Sequence, residues 1–135
     1  MLTQNTLILT HTAVMGMLGA AVAKAEEIGQ PQCIVIVDAS GETLAQLRMT
    51  GAKYLSLKSA RTKARTAASI GQETTAIPDH VGPAIAAATG GAVTRLGGGL
   101  PIYVDSQLVG GIGIGSGSAE QDIEVAKAAL ATLTP

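Results

Sequence analysis

The stretch GGLPIYVDSQLVGGIGIGSGSAEQD, residues 98–122, joins two strand-like runs, a series of closely spaced glycines and the start of a helix. The runs meet at Asp105 and Ser106, which predicts an antiparallel hairpin. Ser118, followed three residues later by Gln121, is the signature of a capping box and predicts a helix from residue 119 to about 133. Glycines let a backbone approach its neighbour closely. That neighbour is either a bound molecule or a packed helix, and the sequence leaves both alternatives open.

Small and aliphatic side chains must build the core, because the 135 residues include no Phe, no Trp and only two Tyr. This length predicts one domain spanning residues 1–135. The only cysteine, Cys33, lies in the apolar run CIVIV, which predicts a buried thiol in a reducing compartment.

The formal net charge of −1 favours neither nucleic acid nor an acidic membrane as a partner. Apolar residues are frequent between residues 7 and 25, but Thr10, His11 and Thr12 interrupt them and no Lys or Arg precedes Lys24. The segment therefore predicts neither a membrane span nor a secretory leader. We expect a cytoplasmic protein that binds no nucleic acid and no membrane.

Periodicity and turn residues predict an order of helix, β-hairpin, two helices, β-meander and helix. Because neighbouring strands are joined by turns, the sheet should be antiparallel and covered by helices, which is an α+β fold. The predicted helices span residues 10–29, 53–70, 83–89 and 119–133, and the predicted strands span 33–37, 43–49, 100–104 and 107–114, with a shorter strand near 92–96.

Four segments, IVIVDASGETLAQLRMTGA, KARTAA, GGLPIYVDSQLVGGIGIGSGSAEQD and VAKAAL, resemble in this order the GlcG/HbpS-like family. These domains are often described as haem-degrading or haem-binding, and they also form the C-terminal part of some corrinoid adenosyltransferases. The resemblance implies a profilin-like fold, with an antiparallel sheet of about five strands flanked by helices, and assembly into a homo-oligomer. It also implies haem or another tetrapyrrole as ligand. Many members carry an acidic residue or proline after the Arg-Met pair, where this chain has Thr50.

A site for an anionic ligand is predicted where the last strand leads into the last helix. Backbone N–H groups at a helix N-terminus bind carboxylates or phosphates, and the guanidinium of Arg48 could clamp a carboxylate in two places. The alternatives are a tight turn for the glycines and a surface ion pair for Arg48. The predicted ligand-binding residues are Arg48, Gly113, Gly115, Ser116, Gly117 and Ser118.

His11 and Met15 are the candidates for ligating haem iron. They lie one turn apart on the first helix, and the positive end of the helix dipole favours the neutral imidazole that binds metals. The alternative is an exposed or capping histidine. For an enzyme, His80 is the first candidate for acid or base, and Lys63 is the second if its ammonium turns toward the glycine-rich turn. Ordinary loop polarity is the alternative for His80.

Three functions follow from these residues. The first is a small-molecule-binding protein whose ligand is haem or another tetrapyrrole. The second is a small catabolic lyase or isomerase that acts on a hydroxy- or oxo-carboxylate. The third is a structural assembly partner without a ligand.

Overall fold

The computed structural model describes residues 1–133 and confirms an α+β fold. Each predicted helix and hairpin forms within a few residues of its predicted bounds. A single 3₁₀ turn, Thr74–Ala76, lies between the second and third helices. The elements are α1 (His11–Glu27), β1 (Cys33–Asp38), β2 (Thr43–Arg48), α2 (Leu55–Ile70), α3 (Gly82–Ala88), β3 (Gly99–Val104), β4 (Gln107–Gly115) and α4 (Ala119–Ala131).

Among residues 1–133, the sheet has four antiparallel strands in the order β2-β1-β4-β3, so the prediction of about five strands is wrong. The missing strand is the one expected near residues 92–96, which is irregular. Its backbone bonds to side chains instead of a neighbouring strand: the Thr94 N–H donates to Thr66 Oγ1, and the Leu96 carbonyl accepts from Thr74 Oγ1. These bonds satisfy the polar backbone groups without a further strand.

Helix α2 covers one face of the sheet at very short range. A Cβ built on Gly111 of β4 would lie 2.2 Å from the Ala64 carbonyl oxygen. A Cβ built on Gly113 would lie 1.9 Å from the Ala60 carbonyl oxygen. No real side chain fits at such a distance. The glycines of β4 therefore have a packing role, because their bare backbone lets α2 lie directly on the strand.

Helices α1 and α4 cover the opposite face, where larger side chains form the main core. Because side chains alternate along a strand, the isoleucines between the β4 glycines point to this second face. The buried core there combines strand isoleucines with aliphatic residues of both helices, including Met17, Ile34, Ile36, Ile102, Ile112, Ile114 and Val125.

Local signals begin and end the helices as the sequence predicts. Thr10 caps α1 by accepting a hydrogen bond from the Ala13 N–H, and Ser118 and Gln121 form the complete capping box of α4. Gly71 ends α2 in the left-handed conformation at φ 69°, which glycine adopts without strain. Within residues 1–133, none of the helices is long and apolar enough to cross a membrane.

Candidate functional site

His11 and Met15 lie on the exposed side of α1. His11 is the first helical residue, and Met15, one turn later, is 63% exposed. Ile8, just before the helix, is 82% exposed. We call the three side chains the His11 surface. It offers an accessible imidazole next to large apolar groups.

A small cleft follows the extended segment that leads into α1. It has a volume of about 270 Å³ and is lined in part by Leu7, Leu9, Leu44 and Val109. Leu7 and Leu44 are each more than two-fifths exposed. The apolar character of the His11 surface thus extends along the N-terminal segment toward the edge strand β2.

The ammonium of Lys63 turns toward the end of β4. This orientation is the one under which the sequence analysis names Lys63 as the second candidate for acid or base. Its Nζ donates to the Ile114 carbonyl at 2.8 Å and to Asp122 Oδ2 at 3.1 Å. Both side chains of this ion pair are less than a tenth exposed. Burial raises the pKa of Asp122 above its ordinary value, while the nearby Lys63 ammonium acts to lower it. The Gln32 side chain and the Gly117 N–H also act to lower this pKa. The pair joins α2, β4 and α4 at one point.

The N–H groups at the start of α4 are largely used within the chain. The Gly117 N–H donates to Asp122 Oδ1 at 3.1 Å, and the Ser118 N–H donates to Gln121 Oε1 at 2.9 Å. Ser116 has a φ of 93°, and its hydroxyl accepts from the Lys53 N–H at 3.0 Å. The two amides of Gly117 and Ser118 are therefore not free to hold an anion unless these bonds are exchanged.

Gly113 and Gly115 are buried beneath α2. A Cβ on Gly115 would lie 2.7 Å from the Ser56 carbonyl oxygen, just as one on Gly113 would meet Ala60. This packing explains glycine at both positions without a ligand.

A cleft lies between the start of α2 and the turn from β4 to α4. Its volume is about 260 Å³, and Lys53, Ser56, Lys63, Leu96, Ser116 and Asp122 are among its lining residues. We call it the Lys63 cleft. It brings Lys63, Ser116 and Gly117 together, whereas Arg48 and His80 are not among its lining residues.

Arg48 and His80 lie elsewhere. Arg48 ends the edge strand β2, where it pairs with Cys33 of β1, which in turn pairs with Gly115 of β4. His80 is exposed in the loop before α3, and its neighbour Asp79 forms an ion pair with Arg95 at 2.7 Å. The fold therefore gives no acid–imidazole pair in this loop and does not place His80 with Lys63.

The sequence interpretation missed two buried polar residues next to the Lys63 cleft. In the sequence, Asp122 has only the local signal of an acidic residue near the positive N-terminal end of α4. Its partner Lys63 is 59 positions away in the sequence. Gln32 is fully buried beside the Asp122 carboxylate, and neither polar atom of its side chain makes a hydrogen bond of normal geometry within the described residues. Its position between Pro31 and Cys33 carries no signal of this kind.

Cys33 is buried and its Sγ donates to the Lys53 carbonyl at 3.4 Å. Burial raises the pKa of the thiol, which disfavours the reactive thiolate. Within residues 1–133, no three His, Cys, Asp or Glu side chains come together as a candidate metal site.

Comparisons with known proteins agree with this fold. Residues 9–131 match the family described as haem degrading protein HbpS-like. The corrinoid adenosyltransferase PduO of Salmonella typhimurium is 36% identical over an alignment of 119 residues, which covers 84% of this chain and 35% of PduO. The chain thus spans about a third of the length of that enzyme. A 15.0 kDa protein of Citrobacter freundii, encoded in the dhaT-dhaS intergenic region, is 35% identical over 133 residues, which cover 94% of this chain and 93% of that protein.

Solved structures are similar over nearly the whole chain. The PduOC:heme complex superposes with a TM-score of 0.89 at 32% identity, covering 95% of this chain and 96% of PduOC. The ORFY protein of Klebsiella pneumoniae gives a TM-score of 0.94 at 30% identity, covering 98% of this chain and 95% of ORFY. HbpS gives a TM-score of 0.88 at 32% identity, covering 99% of this chain and 96% of HbpS. With the family matched over residues 9–131, the chain belongs to the HbpS-like family.

Proposed function

We propose that this chain binds haem or a closely related tetrapyrrole, and that the His11 surface holds it. The observation that carries the proposal is the exposed imidazole at the start of α1 with large apolar side chains beside it. The PduOC structure, which superposes on this chain over almost its full length, is a haem complex and supports the same ligand class.

The residues of the His11 surface fit the chemistry of haem. Histidine is a common axial ligand of haem iron, and its exposed ring is open to a planar macrocycle. The exposed Ile8 and Met15 side chains would cover part of the apolar ring and lose contact with water on binding. When bound, haem would supply a redox-active iron whose properties depend on its axial ligand.

Met15 has two alternative roles in this proposal. Its thioether could bind iron, as the sequence interpretation suggests, or it could pack on the macrocycle as an apolar side chain. Replacing it with leucine separates the two roles, because leucine keeps the apolar volume and removes the sulfur. An unchanged absorption spectrum in Met15→Leu would indicate packing, and a changed spectrum would indicate ligation.

The proposal is tested by titrating haem into the purified chain and following the Soret band. We expect saturable binding with defined stoichiometry, and we expect His11→Ala to shift the Soret maximum and weaken binding by at least about tenfold, equivalent to roughly 1.4 kcal/mol. His80→Ala is the matched control, because His80 is the other histidine and is exposed in a distant part of the sequence. An unchanged spectrum in His11→Ala would remove His11 as the ligand. Absence of saturable binding by the parent chain would overturn the haem proposal itself.

A further inference from the structure

We propose that the Lys63 cleft is a second binding site, distinct from the His11 surface, and that it takes a small monocarboxylate with a short apolar body. The site consists of a cavity, a buried ion pair that lines it and a buried amide, that of Gln32, close to the Asp122 carboxylate and to Gly117. None of these features is needed for haem binding at His11.

The ion pair leaves a donor for a ligand. An ammonium group has three N–H donors, and Lys63 uses two of them for the Ile114 carbonyl and Asp122. Lys63 also lines the cleft. The third donor can therefore bind an oxygen placed in the cleft, where burial strengthens a charge-assisted hydrogen bond.

The mouth of the cleft adds a second cation and hydroxyl groups. Lys53 lines the cleft, and it takes part in none of the salt bridges found among residues 1–133. Ser56 and Ser116 also line the cleft. The Ser116 hydroxyl already accepts from the Lys53 N–H, which leaves its own hydrogen available to donate. These groups favour an anion whose charge is carried on oxygen.

The charge balance favours a single negative charge. Two lysines and one aspartate line the cleft, so its charged residues sum to +1. A monocarboxylate neutralises this charge, whereas a dianion such as hydrogen phosphate would leave a net negative charge in the partly buried cleft. Leu96 and Ala119 add apolar surface to the lining, which suits a short alkyl chain.

The volume limits the size of the ligand. At about 30 Å³ for each water, a cleft of 260 Å³ holds roughly eight waters or a ligand of about five to nine non-hydrogen atoms. Butyrate and similar monocarboxylates are within this range.

Gln32 supports the presence of a bound partner at this point. Its fully buried amide lies near the Asp122 carboxylate and helps to lower the pKa of that group. Neither polar atom of the amide makes a hydrogen bond of normal geometry within residues 1–133, and an amide oxygen without a donor is costly to bury. Gln32 Nε2 and Asp122 Oδ1 lie 2.9 and 2.8 Å from the point that a Cβ of Gly117 would occupy, and Gly117 lines the cleft. A polar ligand or an ordered water that enters beside Gly117 would reach this amide.

The experiment is an NMR titration of the isotope-labelled full chain with butyrate and, separately, with its neutral counterpart butyramide. We expect saturable shifts centred on the amides of Ser116, Gly117 and Ala119. Butyramide should bind roughly tenfold more weakly because it lacks the charge-assisted hydrogen bonds. Inorganic phosphate should also bind more weakly than butyrate.

Two variants and one control locate the site. Lys53→Met should weaken the binding of butyrate about two- to fivefold, which is the effect expected for an exposed ion pair. Ser56→Ala should weaken butyrate binding about fivefold. Lys58→Met is the matched control, because Lys58 is an exposed lysine of α2 that does not line the cleft, and it should bind like the parent. Because removing Lys63 would leave Asp122 unpaired, the two variants at the mouth carry the test.

Equal affinity for butyrate and butyramide would overturn the proposal. So would shifts that do not saturate, or shifts that Lys53→Met and Ser56→Ala leave unchanged. The titration contains no haem, so a failure here and a failure of haem binding are separate results.

Discussion

The two faces of the sheet use the same four strands but pack in different ways. On the α2 face, glycines of β4 meet the backbone of α2 around Ala60 and Ala64, and small side chains fill the remaining space. On the other face, isoleucines such as Ile112 and Ile114 interdigitate with α1 and α4. The close approach of α2 also brings Lys63 to the end of β4 and to Asp122 of α4. The α2 face should therefore tolerate change poorly, while the opposite face should tolerate small changes in volume.

The largest effect is expected at the ion pair that accompanies the close packing. Lys63→Met leaves the Asp122 carboxylate buried without its partner, which should lower the free energy of unfolding by about 3–5 kcal/mol at neutral pH. Burial already raises the pKa of Asp122, and the loss of the cation raises it further. The pKa of Asp122 is then higher in the folded variant than in the unfolded chain. As the pH falls from neutrality through the raised pKa, the folded variant takes up a proton before the unfolded chain does. The loss in free energy of unfolding should therefore shrink.

Chemical denaturation of the parent and Lys63→Met between pH 4 and 7 would measure this loss. A difference in free energy of unfolding that stays constant with pH would show that the missing Lys63 ammonium beside Asp122 is not its cause.

The next effect is expected where strand and helix backbones meet. Gly113→Ala adds one methyl group whose carbon would lie 1.9 Å from the Ala60 carbonyl oxygen. Gly113 does not adopt a positive φ, so alanine is compatible with the local backbone and the cost is steric. We expect a loss of about 3 kcal/mol, at the upper end of values for overpacked cores, measured by denaturant titration.

The matched change on the opposite face is Ile112→Val, which removes one carbon from the adjacent residue of the same strand. Ile112 is fully buried in the main core, and this change should cost only about 1 kcal/mol. Equal losses for the two variants would contradict the distinction between the two faces.

The smallest effect should have the opposite sign. Gly19 lies within α1, and a Cβ built there meets nothing within 4 Å. Alanine favours the helix over glycine, so Gly19→Ala should raise the free energy of unfolding by roughly 0.5–1 kcal/mol in a thermal or chemical denaturation experiment. A loss would mean that another molecule covers this side of α1, as the predicted homo-oligomer allows.

Local signals in the sequence predicted most of the fold. The capping box of Ser118 and Gln121 and the turn at Asp105 and Ser106 act within a few positions of the elements that they limit, so they could be recognised directly. The prediction of a fifth strand was wrong because the backbone of residues 92–96 bonds to the Thr66 and Thr74 hydroxyls. No local pattern in the sequence indicates that these hydroxyls take the place of a neighbouring strand.

The sites were harder to predict because they depend on contacts between distant residues. The sequence could not decide whether the glycines of β4 face a ligand or a helix, since it does not show which helix covers the strand. It likewise offered no means to pair Lys63 with Asp122. The helical period places Val14 and Met17 in the buried stripe of α1 and leaves His11 and Met15 outside it, which agrees with the exposure of both side chains.

A crystal structure of the chain grown with haem would test the central claim most directly. We expect the iron to be bonded to a ring nitrogen of His11, with the macrocycle against Ile8 and Met15. Iron bonded to a different side chain, or haem located away from the start of α1, would contradict the proposed site.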